Sequence, residues 1–209
     1  VKHLRSKGLL VYGGFIIGFD SDGPDCARLT YDFIESCKID FAMAGMLIAI
    51  PGTPLEQRLR CEGRLLHEEA EGDQFDLSNI VPKSMTRLEL LRSYRQLLEE
   101  LYEPRHYFRR AWAAISEWKQ GTIRMAPLRE YMAVAYSSLK QGIFSRYGRH
   151  YWWFMLRTAF KHPRKIARAF AIAISGHHFF VYTRRVVLPR LREAERLLAE
   201  QMADQVVTA

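Results

Sequence analysis

Leu9-Leu10-Val11-Tyr12-Gly13-Gly14-Phe15-Ile16-Ile17-Gly18-Phe19 is an unbroken apolar run that ends in the acids Asp20 and Asp22. Apolar character without alternation is how a strand reads when both faces are covered, as in a parallel sheet. Gly13, Gly14 and Gly18 weaken such a strand unless another backbone or a flat ligand must come close. Two readings follow. The run is a buried strand with packing glycines and an Asp22-Gly23-Pro24 turn, or its carboxyl end is the ligand edge of an α/β fold.

The next segment supports an α/β start. Asp22-Gly23-Pro24 offers a cap and a first-turn proline for a helix with Cys26, Leu29, Thr30, Phe33 and Cys37 on one face. The apolar run at residues 41–50 then predicts a second strand, and the length of the crossover makes the pair parallel and right-handed. Thr53 and Glu56 form a capping box with Pro54 at the first helical position, and Glu62-Gly63-Arg64-Leu65 closes that helix. Two parallel strands leave edges in need of partners. The chain opens at Val1, inside what reads as the tail of a helix stopped by Gly8, so a fragment is expected.

From residue 71 the pattern changes. Residues 71–84 read as a polar linker, and 85–209 as helix after helix with short breaks, an all-α unit. Thr86 and Glu89 form another capping box, opening a helix with Leu88, Leu91, Tyr94, Leu98 and Leu101 on one stripe. Tyr107, Phe108, Ala111, Trp112, Ile115 and Trp118 mark the next, ended by Gly121. Pro127 opens a third, with Leu128, Tyr131, Met132, Ala135 and Leu139 as its periodic residues and Gly142 as its end. Lys161-His162-Pro163 separates two later helices, and Pro189 starts the last. The expected class is therefore α/β followed by all-α, helix-dominated overall.

Charge is uneven. The formal net charge is +8, yet residues 105–196 hold 19 Lys/Arg against 4 Asp/Glu. Such a surface favours an anionic partner. In 146–185 the cations alternate with Tyr, Trp and Phe: either the aromatics fill a helical core, or the stretch lies on a membrane surface. No recognised nucleic-acid motif accompanies it, so nucleic acid is not expected. His177 and His178 are adjacent and diverge by about 100° on a helix, which suits interhelix hydrogen bonds better than one metal. Cys26, Cys37 and Cys61 are too few and scattered for a disulfide framework, implying a reducing compartment. No signal peptide and no span-length apolar run occurs, so a soluble or peripheral protein is expected, cytoplasmic or on the surface of the inner membrane.

Residues Gly14-Phe15-Ile16-Ile17-Gly18-Phe19-Asp20-Ser21-Asp22, with Ala49-Ile50-Pro51-Gly52-Thr53-Pro54-Leu55 and Glu62-Gly63-Arg64-Leu65, resemble the last two strands of a radical S-adenosylmethionine (SAM) barrel. The likeness is to bacterial enzymes that pair this barrel with a cobalamin-binding domain, the group containing hopanoid methylases. The stretch Asn79-Ile80-Val81-Pro82-Lys83 is similar to a segment of the same group. The resemblance implies that residues 1–70 end the barrel, that 85–209 are the group's helical C-terminal domain, and that Gly14, Ile16 and Gly18 pack on the adenine of SAM. Asp20 or Asp22 would meet the ribose or amino acid end, because the acid of the family pattern falls here on Ser21. It implies SAM, a [4Fe–4S] cluster and upstream cobalamin as cofactors of the parent enzyme, and a methyltransferase acting on a lipid or other hydrophobic substrate. The family's Cys-x-x-x-Cys-x-x-Cys motif has no counterpart here, so no metal ligands and no catalysis are expected of this chain alone. Missing upstream barrel strands and the cobalamin-binding module are then its partners. The rival expectation is a basic helical adaptor that docks on a membrane surface or an acidic partner.

Overall fold

The computed structural model describes residues 1–66, 77–119 and 128–207. Helix α1 (Lys2–Ser6) stops before Gly8 and leads to strand β1 (Tyr12–Ile17). Helix α2 (Cys26–Cys37) carries the chain to β2 (Phe41–Met46), parallel to β1 in a two-stranded sheet. The Leu47 N–H donates to the Ile17 carbonyl at 2.8 Å. That register sets Gly14 beside Met43, Ile16 beside Gly45 and Ile17 beside Met46. Helices α3 (Pro54–Cys61), α4 (Arg87–Leu101), α5 (Pro104–Glu117), α6 (Leu128–Ser137), α7 (Gly148–Lys161), α8 (Ile166–Tyr182) and α9 (Leu188–Val207) follow. Segments Ser138–Ile143 and Thr183–Val187 are wound as π-helix. The fold class is the expected one, an α/β start followed by helices.

Local chemistry explains the helix starts. Thr53 accepts from the Glu56 N–H at 3.3 Å with Pro54 next in line, although the Glu56 carboxylate turns to Arg60 rather than back to the cap. Thr86 and Glu89 complete the reciprocal box, at 2.7 and 3.1 Å. Other expectations need correction. Pro24 lies in the turn before α2, not in its first turn. The buried face of α2 runs through Cys26, Ala27 and Ile34, while Leu29 and Phe33 are exposed. The periodic residues Met132, Ala135 and Leu139 are exposed, and the helical winding continues past Gly142 to Ile143. Gly121 and Pro127 lie outside the described residues.

The chain divides into two compact units, each assembled from three segments. One comprises Val1–Gly13, Ile34–Ala42 and Leu101–Tyr182. Its centre is aromatic: the buried Phe108 ring meets Tyr107, Tyr147, Tyr151, Phe154 and Phe180. Pairs of this kind contribute about 0.5–1.5 kcal/mol each beyond area burial. Tyr107 donates to the Ile172 carbonyl at 2.9 Å. Tyr147 bonds His177 Nδ1 at 2.5 Å, the interhelix role expected of that histidine. Lys165 caps the carboxyl end of α5 through the Ile115 carbonyl at 2.8 Å.

The other unit comprises Gly14–Phe33, Met43–Glu100 and Thr183–Ala209. Leu90, Leu91, Tyr94, Leu97 and Leu98 of α4 are buried. The Tyr94 hydroxyl donates to the Ala44 carbonyl at 2.9 Å, satisfying the outer edge of β2 there. Arg95 pairs with Glu195 at 2.6 Å and Arg192 with Glu99 at 3.0 Å, tying α4 to α9. Ala49, Leu59 and Ile80 form a second cluster with Leu47, Leu55 and Leu65. Asn79 seals it by bonding both the N–H and the carbonyl of Ala49, at 2.8 and 3.0 Å, as a strand neighbour would. Asn79→Ala orphans two buried backbone groups and is expected to cost about 2 kcal/mol in urea unfolding. A midpoint equal to wild type would refute this account of Asn79.

Candidate functional site

Strand β1 presents its two faces differently. Gly13, Phe15 and Ile17 turn toward the packed side, whereas Tyr12, Gly14 and Ile16 are exposed. The expectation of a strand covered on both faces is corrected: among the described residues, one face is open. Ile16 is 54% exposed, and a Cβ built on Gly14 would meet nothing within 4 Å. Gly45, beside Ile16 in the register, adds no side chain to that face. The result is a flat apolar floor of Gly14, Ile16 and Gly45, flanked by Met43.

Gly18 does a different job. Its φ of +101° turns the chain out of the strand, and a Cβ there would lie 3.0 Å from Leu90 Cδ2. Leu90 of α4 packs against the backbone of Gly18, so this glycine belongs to the strand end and the α4 contact rather than to the open floor.

The two acids are occupied by the loop itself. Asp22 Oδ2 accepts from the Gly18 and Phe19 N–H groups, at 2.9 and 3.0 Å, which locks the turn after β1. Asp20 pairs with Arg64 and, at 3.0 Å, with Arg58 of α3. The Arg64 hydrogen bond holds the Asp20 carboxyl below its usual range, with Arg58 adding to the effect. The Ser84 hydroxyl donates to the Asp20 carbonyl at 2.9 Å, and Arg64 Nε to the Val81 carbonyl at 2.9 Å. Asp20 thus anchors the strand-end loop to the segment that continues from Asn79. The structure therefore brings Gly14 and Ile16 together on one open face and sets Gly18, Asp20 and Asp22 at its carboxyl-terminal rim.

Sequence reasoning quoted Arg64 and Asn79 within the family-like stretches but gave neither a contact, and it gave Arg58 and Gly45 no role. Nothing marks a surface arginine as the partner of an acid 38 or 44 residues away. A second concavity, about 160 Å³, lies between Met46, Leu91, Arg87 and Leu198. It is below the roughly 300 Å³ at which small-molecule pockets begin. No group of three or more His, Cys, Asp or Glu able to hold an ion occurs among the described residues. Cys26 is buried, Cys37 half-buried and Cys61 exposed. These thiols, spread over α2 and the end of α3, do not fit a [4Fe–4S] cluster.

The model of the family described as "Domain of unknown function (DUF4070)" matches residues 53–193. The chain belongs to the DUF4070 family. This DUF4070 chain is 26% identical over 193 residues to a hopanoid C-2 methylase of Rhodopseudomonas palustris (strain TIE-1), covering 88% of the chain and 35% of that protein. It is 28% identical over 214 residues to the uncharacterized methyltransferase sll1242 of Synechocystis sp. (strain ATCC 27184 / PCC 6803 / Kazusa), covering 99% of the chain and 39% of that protein. A bacteriochlorophyllide d C-12(1)-methyltransferase of Chlorobaculum tepidum (strain ATCC 49652 / DSM 12025 / NBRC 103806 / TLS) is 30% identical over 105 residues, covering 49% of the chain and 22% of the relative. The DUF4070 chain thus spans well under half the length of the relatives it matches, and those relatives are named as methyltransferases. No solved structure matches it. Among the described residues, no helix is long and apolar enough to cross a membrane.

Proposed function

We propose that the chain contributes a SAM-binding wall to a radical SAM C-methyltransferase, cobalamin-dependent, whose substrate is a lipid or another hydrophobic molecule. The observation that carries this reading is the open floor at Gly14 and Ile16, uncovered above Gly14 on one side and backed by packed structure on the other. A flat heterocycle needs such a surface: glycine admits the ring and a β-branched side chain packs on its face. The acids of the rim suit a supporting role, because Asp22 and Asp20 fix the turn beside the ring. When bound, SAM supplies the methyl or adenosyl group. The residues of this chain orient its adenosine portion and keep water from one face of the base. The cluster and the cobalamin would be held by other parts of the protein. The hydrophobic substrate class rests on the printed names of the hopanoid and bacteriochlorophyllide relatives.

Ile16→Asp tests the floor in the complete protein. A carboxylate under the base removes apolar contact and sets a charge beside a ring that offers no cation. SAM affinity by isothermal titration is expected to fall about tenfold or more, with the melting curve unchanged because the site is exposed. Undiminished SAM binding would sink the assignment.

A further inference from the structure

We propose that the outer face of α6, the π-wound segment and α7 docks on the surface of an anionic lipid bilayer. Met132, Tyr136, Leu139 and Ile143 recur at four- and three-residue spacing and are all exposed. On α7, Trp152, Leu156 and Phe160 form a second exposed row, with Phe160 at 83% and the neighbouring Phe144 at 80% exposure. The rows are continuous. Trp152 Nε1 donates to the Gly142 carbonyl at 3.2 Å, and a Cβ on Gly148 would lie 2.4 Å from that same oxygen. Only glycine at 148 allows the start of α7 to sit so tightly on the π-wound turn, so the two rows merge into one patch.

Its surroundings identify the partner. From residue 131 through 192 the chain has no Asp or Glu and twelve Lys/Arg. Arg149, Arg157 and Lys161 are exposed on α7 beside the apolar row. The Arg157 guanidinium lies 4.8 Å from the Trp112 ring and 5.2 Å from Trp153, and Lys140 lies 5.2 Å from Tyr136. Cations stacked on aromatics at the rim of an aliphatic row match a helix lying at the boundary of headgroups and acyl chains. Nucleic acid would use the cations and rings but has no counterpart for Leu139, Ile143 and Leu156. Neither helix qualifies as a span, so contact is with the surface.

Flotation with vesicles tests the proposal independently of the sheet face. The chain is expected to float with phosphatidylcholine vesicles containing about 30% phosphatidylglycerol, and not with phosphatidylcholine alone. Binding should drop about tenfold or more for Leu156→Glu/Phe160→Glu and for Arg149→Glu/Lys161→Glu, and again in about 0.5 M salt. Brominated lipid should quench Trp152 and Trp153 fluorescence in the unmodified chain, a readout that does not depend on the variants folding. No flotation, equal binding to neutral vesicles, or variants that fold and still bind would overturn the proposal. So would a face that binds single-stranded RNA instead, or one that pairs two copies of the chain and is lost from sedimentation profiles in the same variants.

Discussion

Arg110→Met is expected to lower the free energy of unfolding by about 3 kcal/mol, because it orphans two main-chain carbonyls and takes the partner from the half-buried Glu35. Arg110 is 2% exposed and spreads its guanidinium over three acceptors. Nε donates to the Ile39 carbonyl at 2.8 Å, one terminal nitrogen meets Glu35 at 2.6 Å, and the other donates to the Leu101 carbonyl at 3.1 Å. A buried ion pair can often be exchanged for apolar residues at little cost when both partners go. Here two of the three acceptors are main-chain carbonyls, which no substitution removes. Methionine fills the volume and leaves them orphaned, while Glu35 keeps its pair with the exposed Arg109, at 3.2 Å. Arg110→Lys should recover a minor share, since one ammonium cannot span acceptors in three directions. Urea titrations with unchanged slope and the order wild type, lysine, methionine would bear this out; a methionine variant within about 1 kcal/mol of wild type would refute it. Native stability is only about 5–15 kcal/mol, so the methionine variant sits close to unfolding.

Much of the architecture was legible because it rests on local rules. The Thr86–Glu89 box, the proline at 54, the stop at Gly63 and the turn at Lys161-His162-Pro163 depend on residues within a few positions of one another, and each marks an observed boundary. What needs long-range geometry was not legible. Arg5, whose guanidinium meets Glu117 at 2.9 Å and the Cys37 carbonyl, and Arg110 look in sequence like ordinary surface cations. The stripe of α6 shows the limit of periodicity most plainly. Spacing reports that Met132, Leu139 and Ile143 share a face, but not what covers it, and an amphipathic face reads the same whether it meets a core or a bilayer. At the strand end the position of Asp20 and Asp22 was readable from the α/β pattern. Their use was not, because Arg58, Arg64 and two main-chain N–H groups claim them only in the folded loop.

Gly18→Val and Gly14→Val should separate the two roles of the glycine-rich strand. Residue 18 holds φ at +101°, a region that costs a non-glycine residue about 1–3 kcal/mol and a β-branched one still more. Its new Cβ would also press on Leu90 at 3.0 Å, inside the core of that unit. Together these effects should remove about 3 kcal/mol or more, visible as a lowered unfolding midpoint and loosened protection of the α4 amides in hydrogen exchange. Gly14 has no atom within 4 Å of a built Cβ and an ordinary strand φ. Valine there, with its higher strand propensity, should leave the melting curve unchanged or slightly raised. In the complete protein, however, its methyl groups stand on the floor proposed for adenine and should weaken SAM binding about tenfold or more. If Gly14→Val destabilises the fold while Gly18→Val does not, the division between open floor and packed strand end is wrong. If both variants melt as expected and SAM affinity ignores Gly14→Val, the fold stands and the ligand lies elsewhere.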